Sequence, residues 1–317
     1  MWCLPSGSHH ILFNIMKQLL IICSLSTTLA FSQKIVVVDK NSKAPLPYTA
    51  IKTKDGGFYT EENGRFILPK DNDSISISHL GYHELKVSLF NIKDTLFLTP
   101  SPLHLDEVVV TNKKTSLVKI EPLKMDRYFS SLPLKPKREI IISLKPNAKN
   151  EGLYIRNIVF PLGKIKHFNK TDTLYKNAVG VFRLNIYINN HDGLPKQAVF
   201  TSEPIEFIMS KKEKITIDIS QENVQFPQEG LSFGLEMIGR LDDAGNASKE
   251  NSYIRPKITS QSLKGFEANT YLRSLFSKDP GFYNINVRNE TLSRDFKRHK
   301  TSRYNLNIGI TLSSAKK

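Results

Sequence analysis

Only two cysteines occur in 317 residues, Cys3 and Cys23. Both precede the segment expected to be mature, so no disulfide is expected and the fold must rest on core burial, which this length permits. Long apolar runs are missing too. After the N-terminus nothing approaches the ~20 apolar residues of a membrane-spanning helix, so no transmembrane span is expected. Acidic residues are in deficit: 30 Asp and Glu against 45 Lys and Arg give a net charge of +15. That balance favours solubility and attraction to anionic surfaces and is silent about fold. Nucleic acid is the first partner considered for a basic chain. The N-terminus argues against it, and neither nucleic acid, cofactor nor metal is expected. What is present is 39% hydrophobic and 9% aromatic residues, enough for the packed cores of two ordinary domains.

Met16-Lys17 opens a short positive segment, Leu19–Leu25 is apolar, and Ala30 and Ser32 supply the small residues of a cleavage site before Gln33. This reads as a secretory signal, with residues 1–15 an upstream translation artefact. Two readings compete. An anchor would need a longer span than Ser24, Ser26, Thr27 and Thr28 leave intact. A lipoprotein would use Cys23, for which Ile22 is a poor preceding residue.

Residues 33–110 show short strands between turn signals. Lys34–Asp39 is β-branched, Tyr48–Thr53 follows Pro45-Leu46-Pro47, and Ser74–Ser78 alternates strictly. Asp55-Gly56-Gly57 and Glu62-Asn63-Gly64 mark hairpins. Asp94–Leu98 and Glu107–Val110 complete the set, which reads as a β-sandwich. Gly64 is expected at positive φ, Gly81 at a close backbone approach with Tyr82 packed beside it, and Pro45 and Pro47 on an extended edge.

These residues also carry a resemblance. Pro45–Ile51 resembles the PLPGAxV element of the carboxypeptidase regulatory-like domain of Bacteroidetes envelope proteins, and Thr60–Phe66 its TDxxGxF element. Leu80-Gly81-Tyr82 resembles its xGY element, and Leu105–Val110, containing Glu107, the LxEVVV segment that follows. The resemblance implies a prealbumin-like sandwich of about seven strands in which Pro45, Pro47, Gly64, Phe66, Gly81, Tyr82 and Glu107 are structural. It also implies residence in the periplasm, at the outer membrane or on the cell surface. Tyr48 departs from the pattern, because glycine is common there. In outer-membrane receptors the last element leads into a plug and barrel. About 207 residues follow Val110 here, too few for both.

Residues 111–137, rich in Lys and Pro, read as a linker with a helical turn near Met125–Phe129. From Arg138 the strand pattern returns, with candidates at Arg138–Leu144, Leu153–Phe160, Val181–Ile188, Ala198–Ser202, Ile205–Met209, Ile215–Ile219 and Leu231–Ile238. Phe182, Leu184, Ile186 and Ile188 alternate with Arg183, Asn185, Tyr187 and Asn189, which predicts one buried and one wet face. The fold class is therefore all-β: a prealbumin-like sandwich followed by a second, jelly-roll-like sandwich over 138–317. Residues 240–303 read as a long polar excursion with a short helix at Asn269–Phe276. Tyr304–Leu312 reads as a final strand, expected beside Leu231–Ile238.

Several motifs invite chemistry. Gly230-Leu231-Ser232-Phe233-Gly234 matches G-x-S-x-G, but a nucleophile elbow joins a strand to a helix and Ser232 sits inside a strand pattern. His79 and His83 would share a metal-binding face only on a helix, and strand alternation leads into them. Arg183, Asn185 and Tyr187 could form a sugar platform, against the plainer reading of a solvated sheet face. Arg294, Lys297, Arg298 and Lys300 are either a solvated loop or a contact for anionic polymers or lipid head groups. Short Asp-Ser/Thr-aliphatic triplets such as Asp73-Ser74-Ile75 resemble an O-glycosylation pattern of exported Bacteroidetes proteins. The expected function is a non-catalytic envelope module that binds a protein or glycan partner. The alternatives are a carbohydrate-binding accessory protein and a serine hydrolase using Ser232.

Overall fold

Short β-branched runs punctuated by turn residues give the front of the chain seven strands: β1 (Lys34–Asp39), β2 (Ala50–Thr53), β3 (Gly56–Tyr59), β4 (Arg65–Ile67), β5 (Ser74–Ser78), β6 (Leu85–Ser88) and β7 (Thr95–Leu98). The computed structural model describes Lys17 and residues 34–68, 73–79, 81–101, 116–123, 131–132, 134–163, 179–208, 214–241, 247–248, 254–277, 281–286 and 304–315. One sheet runs β4-β1-β7 and the other β3-β2-β5-β6. They close over Ile35, Val37, Ile51, Phe66, Ile77 and Leu98. Strands β1 and β7 pair in parallel, which the alternation alone does not reveal.

The structural glycines divide. Gly64 has φ +72°, and a Cβ there would come within 2.8 Å of the Val37 carbonyl oxygen, so both dihedral and space demand glycine. Gly81 also has positive φ, +74°, but faces open space. Among the described residues the expected close approach is absent, and the positive φ is what selects glycine there. Tyr82 packs on the core and donates to Asp39 Oδ2 at 2.8 Å. Burial and that hydrogen bond push its phenol up to about 12.

The second domain contains β8 (Leu117–Ile120), β9 (Arg138–Pro146), β10 (Tyr154–Pro161), β11 (Val179–Asn189), β12 (Pro195–Thr201), β13 (Ile205–Ile208), β14 (Lys214–Asp218), β15 (Leu231–Leu241), β16 (Ala247–Ser248), β17 (Ile258–Thr259), β18 (Phe266–Ser274), β19 (Tyr283–Asn284), β20 (Asn305–Leu306) and β21 (Gly309–Ser313). A large sheet runs β12-β11-β15-β9-β18-β19, with β13 also on β11 and β16 on β15. A smaller one runs β14-β10-β21-β8, and β17 pairs with β20. The two main sheets enclose Phe160, Phe182, Phe226, Phe233, Ile310 and Leu312. The chain is thus an all-β protein of packed sandwiches. Among the described residues, no helix is long and apolar enough to cross a membrane.

Four expectations change. Within the segment read as a linker, β8 pairs with β21, and Leu132 and Leu134 are buried in the second core. The stretch read as a helix at Asn269–Phe276 lies mostly in β18, because the edge of β9 offers a full ladder from Phe266↔Pro146 to Ser274↔Arg138. Strands β16 to β19 fall within the supposed excursion. The final strand does not join β15, whose two edges are taken by β11 and β9. It pairs instead with β10 and β8 in the opposite sheet. Leu306, Ile308, Ile310 and Leu312 are nevertheless all buried, as the alternation predicts. Met125–Phe129, the signal segment apart from Lys17, Glu107–Val110 and Arg294–Lys300 lie outside the described residues.

Candidate functional site

The outward side of the large sheet is not wet. Arg183, Asn185 and Tyr187 are only 6%, 4% and 7% exposed, and Ile188, expected inside, is 38% exposed. The cause is the first domain, whose β2–β3 hairpin lies against this face. Tyr59 from β3 donates to Glu236 Oε1 on β15 at 2.5 Å. Arg183 Nη2 donates to the Tyr48 carbonyl at 2.7 Å. Gly57 has no room for a side chain, because a Cβ would fall 2.2 Å from the Phe276 ring.

Tyr48 explains its own departure from the glycine pattern. Its φ is +50°, in the left-handed region where glycine is easiest. Its ring is buried against Val181 and Ile238 of the second domain. The local dihedral cost is offset by an apolar anchor between domains that glycine could not supply.

Register builds the centre of the site. Arg183 stands opposite Glu236, Glu236 opposite Glu139, and Glu139 opposite Arg273, one row across β11, β15, β9 and β18. Like charges directly opposite are destabilising, and this row resolves the conflict by flanking two acids with two guanidiniums. The Asn185 amide nitrogen bridges both carboxylates, at 2.9 Å to Glu139 and 2.8 Å to Glu236. Tyr187 donates to Glu139 Oε1 at 2.8 Å, and Arg273 Nη2 pairs with Glu139 Oε2. Arg183 Nη1 lies 3.9 Å from Glu236 Oε1. A metal ion would have to displace both arginines from these acids.

Glu139 is wholly buried. Desolvation raises its pKa, Arg273 works against that shift, and Glu236 adds to it. The sign follows from linkage: a carboxyl raised by folding favours the protonated folded state, so stability is gained as pH falls through the raised value towards the ordinary carboxylate range. The always-neutral Glu139→Gln variant lacks this term. Denaturation of both proteins from neutral to mildly acidic pH should show the native chain gaining stability relative to the variant as pH falls. A constant difference would contradict the assignment.

The G-x-S-x-G match has a packing explanation. A Cβ at Gly234 would lie 1.9 Å from Glu139 Oε1, so this glycine makes room for the buried acid. Gly230 has φ +90° and abuts the Leu144 carbonyl. Ser232 is fully buried in β15 and donates to Asn189 Oδ1 at 2.5 Å. Asn189 donates onward to Ser143, and Ser143 to the Gly193 carbonyl. The hydroxyl is spent on an amide, not on an imidazole base. His79 stacks edge-on to Tyr82, and its Nε2 lies 3.2 Å from the Pro47 carbonyl.

Beside the charged row lies a cleft of about 430 Å³ between the two domains. Lys52, Tyr59 and His79 line it from the first domain, and Arg183, Asn185, Tyr187, Glu236, Arg273 and Phe276 from the second. The site thus also contains Glu139, Glu236 and Arg273, which the sequence reading did not single out. For Glu236 the sequence signal is a charge inside an apolar stretch, Leu235-Glu236-Met237. No protein-family model, curated protein or solved structure matches this chain.

Proposed function

We propose that this protein is an exported, non-catalytic binding module of the cell envelope, with a front domain of the carboxypeptidase regulatory-like class. The observation that supports this best is the cleft between the two sandwiches, roofed by the β2–β3 hairpin and floored by a polar lattice in which both oxygens of Glu139 and of Glu236 have donors. Such a lattice positions groups rigidly. It is poorly suited to proton transfer, because both oxygens of Glu139 are already capped by donors. The size of the cleft falls within the roughly 300–1,000 Å³ typical of small-ligand pockets. A saccharide-binding role is favoured among binding functions by the lining of tyrosines, an amide and guanidiniums.

The serine-hydrolase reading gains no support from the geometry of Ser232. A fluorophosphonate probe on the purified folded protein is expected to leave Ser232 unlabelled. Labelling that disappears in Ser232→Ala would overturn the non-catalytic reading. The export reading requires the native protein to sit in the envelope fraction with Gln33 as its first residue, and a cytosolic protein retaining residues 16–32 would end it.

A further inference from the structure

We infer that the interdomain cleft takes an acidic saccharide, a sugar carrying a carboxylate, and not a neutral one. The inference rests on the binding-module reading and specifies its ligand. The charges lining the cleft do not cancel. Glu236 already receives Tyr59 and Asn185 and faces Arg183, while Glu139 receives Arg273 from beneath. Two cationic groups keep donors to spare. Lys52 projects from β2 into the cleft and has no partner among the described residues. Arg273 uses only Nη2, on Glu139 and Tyr187, which leaves Nη1 without a hydrogen-bond partner among the described residues. Its Nε is buried and unpaired, so the guanidinium is incompletely satisfied in the ligand-free protein.

A carboxylate matches this pair of donors, since a guanidinium edge and a mobile ammonium both form charge-assisted hydrogen bonds. The rest of the lining suits a ring. Tyr59 and Phe276 pack edge-to-face at 5.1 Å on one side, and Tyr187, its hydroxyl already held between Glu139 and Arg273, lines the other. An extended acidic peptide is the less fitting occupant. The lining strands β2, β11 and β15 are interior to their sheets, so their backbone groups are already paired and cannot add a strand, and the edge strands β3 and β12 contribute only Tyr59, Ala198 and Thr201 to the lining.

The test is a calorimetric and amide-NMR titration of the mature full chain with digalacturonate, with the neutral galactose disaccharide, and with a short oligoglutamate. Lys52→Glu serves as the variant, because Lys52 is exposed and its reversal leaves the buried row intact. The expected result is digalacturonate binding, with shifts centred on Lys52, Tyr59, Tyr187 and Arg273. Affinity should be at least about tenfold weaker for the neutral sugar, and should fall at least about tenfold in Lys52→Glu with the melting temperature unchanged. Equal binding of the two sugars would overturn the acidic specificity while leaving a saccharide cleft. Binding of oligoglutamate alone would overturn the saccharide. Shifts remote from the cleft, or no response to any of the three, would overturn the inference and remove the cleft from the proposed function.

Discussion

Truncation after Arg303 is expected to unfold the second domain. Strand β21 is interior, between β10 and β8, so its loss strips two ladders at once. Leu306, Ile308, Ile310 and Leu312 are all buried in the main core. Each is worth about 1.5–3 kcal/mol on burial, so the four approach the ~5–15 kcal/mol total stability of a typical domain. Strand β8 would also lose β21, its only partner strand among the described residues. Amide exchange should show β9, β10, β11 and β15 losing protection in the truncated chain. Native-like protection there would show that the terminal strand is dispensable.

The second large effect is expected at Arg273. Removing one partner of a buried ion pair typically costs about 3–5 kcal/mol, because the other charge is left uncompensated. Glu139 is wholly buried and Arg273 is the cation that contacts it. Arg273→Ala should therefore destabilise the protein by an amount in that range, moderated by the ease with which Glu139 can take up a proton. Adding Glu139→Gln to Arg273→Ala should recover much of the loss, since the stranded charge is gone. Chemical denaturation of the single and double variants measures this. If the double variant is no more stable than Arg273→Ala, the loss reflects packing and the charged row is not the cause.

The sequence carried the strands far better than their partners. Ser74–Ser78 and Leu231–Ile238 were readable because alternation is local and repeats every two residues. Register is not local. That Arg183, Glu236, Glu139 and Arg273 form one row depends on which edges of β9 and β15 are occupied, and these residues are scattered over 134 positions of chain (273 − 139). The same fact misplaced the terminal strand: its apolar face was legible, its neighbours were not. Asn269–Phe276 was misread because Tyr271, Leu272, Leu275 and Phe276 have helical spacing, and the open edge of β9 overrode that local signal. The polar face of β11 was read as wet because a charged residue is usually solvated. Its burial required a second domain to dock on it, and Tyr48, the visible departure from the glycine pattern, was the residue that marked the docking.

The central claim is that the two sandwiches are locked face to face through this polar lattice, with the cleft formed between them. A double-mutant cycle on Tyr59→Phe and Glu236→Gln tests it most directly, because those side chains meet only across the domain boundary. The cycle is read from denaturation of the full chain in its four forms. A hydrogen bond to a charged, buried acceptor predicts a coupling of about 1–3 kcal/mol. A coupling indistinguishable from zero would mean that the hairpin does not rest on the large sheet, and the cleft would not exist as described.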